Sequence, residues 1–148
     1  MSNSYTFFAP GKPAPQGSKK VHRYIKGRAI LGESSAAVAP WREVVASRAR
    51  RLRPKPWHAK LPVSLTLTFV FARPKAHFRA NGNLKDNAPQ HCVTRIGDLD
   101  KLCRAVCDAL TGVAYEDDSQ VFSINAERRY ATASESPGAL ITITTIDV

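Results

Sequence analysis

From Val63 to Phe69 the side chains alternate without a break: Val63, Leu65, Leu67 and Phe69 are apolar, and Ser64, Thr66 and Thr68 between them are polar. Successive side chains of a strand point to opposite faces, so this run demands a sheet with one dry face and one wet one. The dry face needs an apolar cover. Two stretches can supply it. Ala36 to Arg53 sets Val38, Trp41, Val44, Val45 and Ala49 at helical spacing with arginines opposite; Ser34 or Ser35 can cap its start, and Pro54 and Pro56 end it. Asp98 to Thr111 sets Leu99, Leu102, Val106 and Leu110 in one stripe, with acids at its N-terminal end and Gly112 as its stop.

Around these lie weaker elements. Tyr5 to Ala9, Ser119 to Tyr130 and Ala139 to Ile146 read as strands, the last two joined by the turn-prone Ser134 to Gly138, and Val21 to Leu31 reads as a strand or hairpin arm. Residues 73 to 97 have no period and are too long for an ordinary connection, which marks them as functional or disordered. The order β(β)αβαββ predicts an α+β fold of two layers, with helices packed on a mixed or antiparallel sheet. At 148 residues the chain is one domain, residues 1 to 148, large enough to bury a core of its own.

Charge narrows the partner. The chain has 22 Lys and Arg against 12 Asp and Glu, a formal net charge of +10, which favours a polyanion, nucleic acid before membrane. Its cations crowd the N-terminal third, where Lys12, Lys19, Lys20 and Arg23 are the candidate DNA-binding residues. Half of the carboxylates, by contrast, gather at Asp98, Asp100, Asp108, Glu116, Asp117 and Asp118. Acids kept together against their mutual repulsion are expected where a cation neutralises them.

Several classes drop out. There is no Rossmann glycine fingerprint, P-loop or helical H-E-x-x-H motif. No apolar run reaches membrane-spanning length, and Cys92, Cys103 and Cys107 form no C-x-x-C pair, so the chain reads as a reduced, cytoplasmic protein with no membrane partner. A zinc site of His91, Cys92, Cys103 and Cys107 matches no common ligand spacing. His77 and His91 read as surface residues of a polar loop rather than as an acid or base.

Asp98-Leu99-Asp100 puts two carboxylates two residues apart where a loop enters a helix, so both can face one point while Leu99 turns to the core. Capping is the more ordinary role for acids there. The second cluster, Glu116-Asp117-Asp118, follows a helix C-terminus, which repels anions, so its acids are not caps of that helix; a solvated turn or a cation site remains.

The run from Asp98 to Val121 resembles the signature of the RusA-type Holliday-junction resolvases, D-x-D-N-L-x-K-x-x-x-D-A-L followed by a D-D-x-Q-V/I turn. Gly11-Lys12-Pro13-Ala14-Pro15-Gln16-Gly17-Ser18 is similar to the basic loop after the first strand in phage-borne members. The resemblance implies a homodimeric, Mg²⁺-dependent endonuclease, with Mn²⁺ an alternative, that resolves four-way DNA junctions by paired symmetric nicks in recombination and repair. It would act in the cytoplasm, at the nucleoid of a bacterial or phage-infected cell. By the same resemblance Asp98, Asp100 and Asp118 are the essential metal-binding carboxylates, Asp117 is an accessory ligand, and Asp108 is either a partner to them or a surface charge. Two positions depart from the signature. Its Asn is Lys101 here and its Lys is Arg104, which can neutralise phosphate charge but, being permanently protonated, cannot act as a base. Two other readings compete: a nuclease for flaps or forks, and a non-catalytic basic DNA-binding module.

Overall fold

The computed structural model describes residues 3–17, 20–25, 28–32, 36–93 and 97–147. In chain order the elements are β1 (Asn3–Pro10), β2 (Lys20–Ile25), β3 (Arg28–Gly32), α1 (Val38–Leu52), β4 (Val63–Phe71), α2 (Leu99–Leu110), β5 (Val121–Tyr130) and β6 (Gly138–Thr145). The alternating run is β4, as its pattern requires.

The main sheet has the order β1-β6-β4-β5. β6 runs antiparallel to both of its neighbours, whereas β4 and β5 are parallel. Leu65, Leu67 and Phe69 face Ile143, Ile141 and Ala139 across the β4–β6 ladder, and all six are buried, which makes this the dry face. The helices close it. α1 buries Val38, Trp41, Val45 and Ala49, and α2 buries Leu102, Ala105, Val106, Ala109 and Leu110. The fold is the expected two-layer α+β arrangement with a mixed sheet. β2 and β3 form a separate antiparallel pair.

The parallel β4–β5 pair explains the long aperiodic stretch. Parallel neighbours cannot be joined by a hairpin, so the chain must travel back along the sheet before β5 can start. Residues 72 to 120 make that crossover, with α2 as its regular part. Between β4 and α2 the described residues form a short 3₁₀ helix, Lys75–His77, and a turn closed by an isolated bridge between Phe78 and Leu84.

Some boundaries differ from the sequence reading. α1 starts at Val38 with Ala37 in the cap position and no side-chain cap bond, while Ser34 and Ser35 lie outside the described residues. Pro40 fits this start, because first-turn N–H groups have no partner within the helix. β5 begins at Val121 rather than Ser119, because Asp118–Gln120 is wound into a 3₁₀ turn. Among the described residues no helix is long and apolar enough to cross a membrane.

Candidate active site

Asp98 occupies the N-cap position of α2 with extended backbone angles, φ −69° and ψ 149°, yet its side chain makes no capping hydrogen bond. Asp98 and Asp100 are both exposed. The capping role that their position suggests is therefore not taken up by Asp98, and its carboxylate stays available. Leu99 between them packs against the core, as the spacing predicts.

The backbone around this pair is held firmly. Gly97 has φ +82°, a conformation that favours glycine, and a Cβ there would lie 2.9 to 3.1 Å from the Pro15 ring. Arg128 of β5 donates through Nη1 to the Gly97 carbonyl. The Gln16 amide donates to the Lys101 carbonyl at 3.0 Å, and Arg42 of α1 donates to Gln16 Oε1. The loop after β1, the strand β5 and the helix α1 thus all fix one loop-to-helix junction. The roles of Gln16, Arg42, Gly97 and Arg128 in holding this junction escaped the sequence reading. Gly97 carried a signal, a glycine just before an acidic helix start; Arg128, a cation on an edge strand, carried none.

At the other end of α2 the acidic turn is a small hydrogen-bonded unit. Asp117 Oδ1 accepts from the Ser119 amide at 2.8 Å. Gln120 Oε1 accepts from the Glu116 and Asp117 amides, both at 3.0 Å, and its Nε2 donates to the carbonyls of Ala59 and Leu61. The bond from Ser119 holds the Asp117 carboxyl below its ordinary range. One Asp117 oxygen is therefore engaged in the turn. Asp118 is exposed and, with Asp108, Thr111, Glu116 and Asp117, lines an open cleft of about 390 Å³.

Asp98 lies at the N-terminal end of α2 and the cleft that Asp118 lines at its C-terminal end. A helix rises 1.5 Å per residue, so about 15 Å of axis separates residue 98 from residue 108, beside which Asp118 lies. Among the described residues no group of three or more His, Cys, Asp or Glu side chains is gathered to hold a metal, and this covers His91, Cys92, Cys103 and Cys107 as well. Between the two acidic ends runs a strip of α2 carrying the half-buried Cys103 and Cys107. Burial pushes the Cys103 thiol up to about 11, with further contributions from Cys107 and Asp100. Burial also raises Cys107, with Asp118 and Asp108 adding to the effect. Each acidic end is thus felt by the thiol nearest to it.

Lys101 and Arg104 are exposed on the first turns of α2, and Asp100, Arg104 and Asp108 follow one another at four-residue spacing on one side of the helix. Lys12 is exposed in the loop after β1; Lys20 and Arg23 belong to β2, and Lys19 lies outside the described residues. A family model described as Endodeoxyribonuclease RusA matches residues 10–144. None of the curated proteins matches the chain.

Proposed function

Because the chain belongs to the RusA endodeoxyribonuclease family, whose members act on Holliday junctions, we propose that it is a Mg²⁺-dependent, homodimeric resolvase that cuts four-way junctions by paired symmetric nicks in DNA recombination and repair, in the cytoplasm. The observation that carries this reading is the pair of exposed carboxylates at Asp98, which makes no capping bond, and Asp100, on a junction fixed from three directions.

The donor set suits the ion. Mg²⁺ is commonly held by one or two carboxylates together with water and substrate phosphate oxygens, and Asp98 and Asp100 are two hard, exposed oxygen donors two residues apart at the start of α2. The chemistry a bound ion supplies is an activated water and neutralisation of the departing oxygen. The chain's own residues do the rest. Asp98 and Asp100 hold the ion, while Arg104 and Lys101, on the same helical turns, offset the charge that builds on the phosphate. Lys12, Lys19, Lys20 and Arg23 grip neighbouring phosphates.

A dimer accounts for Asp118. One protomer leaves it a helix length from Asp98, whereas a two-fold partner with its own α2 running the opposite way carries its acidic turn to the first protomer's Asp100. The face between the two acidic ends is suited to such contact: β5 is an edge strand with Phe122 and Ile124 exposed, and Leu99, Cys103 and Cys107 are partly covered. Two sites related by a two-fold axis match the symmetry of a four-way junction.

A labelled four-way junction and a matched duplex, each incubated with Mg²⁺ and then with EDTA, test the activity. The expected result is paired nicks on the junction alone, lost with EDTA and lost in Asp100→Asn, which still binds. Cleavage of flaps instead of junctions, or binding without any product, would replace the reading by one of its rivals. Mixing Asp100→Asn with Asp118→Asn tests the dimer. Shared sites leave one intact site in each mixed dimer and restore nicking to one strand, whereas sites confined to single chains stay dead.

A further inference from the structure

We infer that the cleft at the C-terminal ends of β4 and β5 binds one unstacked nucleotide of the DNA, next to the phosphate that is cut; the inference rests on the nuclease reading above. Two adjoining cavities of about 590 and 600 Å³ meet there, sharing Ala72, Arg73, Tyr130 and Pro137. Each has the size of a small-molecule site.

The lining of the first cavity selects the class of ligand. Its walls are Phe71, Tyr130 and the rings of Pro10, Pro74 and Pro137, and its charged groups are Lys12 and Arg73, with no carboxylate among the lining residues. Apolar walls accept a flat ring. Two cations without an acid accept a negative group attached to it, and a nucleotide is both at once.

Arg73 supplies a prepared surface. Its guanidinium centre lies 4.6 Å from the centroid of the Tyr130 ring, with Nη1 donating to the Pro89 carbonyl at 2.8 Å and lying 3.3 Å from His77 Nδ1. His77 in turn stands edge-on to Tyr130, centroids 5.3 Å apart and planes at 90°. The guanidinium is therefore held in place rather than left to swing, and unstacked bases pack on guanidinium planes as they do on aromatic rings. In the second cavity the partly exposed Phe78 and Leu84 extend the apolar wall, and the one acid, Glu135, is neutralised by a two-pronged bond to Arg129.

Position ties the cleft to the cutting site. Arg128 holds the Gly97 carbonyl, and Tyr130 lies two residues further along the same face of β5, about 7 Å away. Lys12 sits in the loop whose Pro15 packs on Gly97. A strand with one phosphate at Asp98 and Asp100 has its next nucleotide within reach of the cleft.

The test uses the full chain in EDTA with a four-way junction carrying 2-aminopurine at successive positions on either side of the mapped nick. Band shifts and the nicking assay come first, so a failure of the nuclease reading is seen there, before fluorescence is read. For protein that binds and cuts, a several-fold rise in fluorescence at one position is expected. The rise should fall by more than half in Ala72→Trp, which fills the space common to both cavities from an exposed position, and in Arg73→Lys, which keeps the charge but removes the plane. Probes that stay quenched at every position in the bound complex would overturn the inference, as would an undiminished rise in both variants.

Discussion

Two aspartates in the same local setting behave differently. Asp117 and Asp98 each precede a helical turn in extended conformation; Asp117 accepts a hydrogen bond from the turn it starts, and Asp98 does not. The sequence marks Asp98 as the candidate cap and Asp117 as part of a solvated turn or cation site, yet Asp117 is the one that caps: cap preference depends on residue type, whereas the outcome depends on where the neighbouring chain aims the side chain. Gly97 does that aiming for Asp98. Gly97→Ala would force a strained φ of +82° and drive a Cβ into the Pro15 ring, so a stability loss of about 1–2 kcal/mol is expected in urea titrations. A fall in kcat larger than that in junction affinity should accompany it. Glu135 makes a different prediction. Its bonds to Arg129 and the Thr132 amide hold its carboxyl at about 2, below the ordinary value of 4.5. A folded-state value below the unfolded one stabilises the protein above about pH 4.5, and that contribution disappears as pH falls through about 2. Glu135→Gln should therefore lower the unfolding midpoint at pH 6 and leave it nearly unchanged at pH 2.

At the level of elements, periodicity was the dependable guide. The alternation of β4 and the apolar stripe of α2 reappear nearly residue for residue, since burial on one face imposes the pattern directly. What periodicity cannot carry is the order of strands, because β4 would look the same with other neighbours. The start of β5 was also hidden. Gln120 decides it by reaching back to Ala59 and Leu61, contacts some sixty residues away that no local window contains. Gln120→Ala removes four hydrogen bonds, two of them to turn amides that water can serve instead, so a loss of roughly 2 kcal/mol is expected by chemical denaturation. Nicking should fall as well, since the same side chain shapes the turn that bears Asp118. The acidic groups and their places before and after α2 were legible, but whether the fold draws the two clusters together was not, for it depends on where the crossover lets the chain return.

For the molecule as a whole, a net charge of +10 on a DNA-cutting chain predicts junction binding that weakens steeply as salt is added. Lys12→Ala should make the slope of log affinity against log salt shallower by about one, measured by fluorescence anisotropy on a labelled junction. An unchanged slope would remove Lys12 from the interface. The sheet order has a consequence for how the protein is made. β6, which follows the other five strands in the chain, lies between β1 and β4, and among the described residues β1 pairs with no other strand of the main sheet. The first strand must therefore wait on the ribosome until Gly138–Thr145 has emerged, and the loop behind it, with Pro15 and Gln16, cannot settle on the Asp98 junction before then. A chain cut short before Gly138 therefore lacks the contacts that order the Asp98 junction, and its nicking of DNA should be lost.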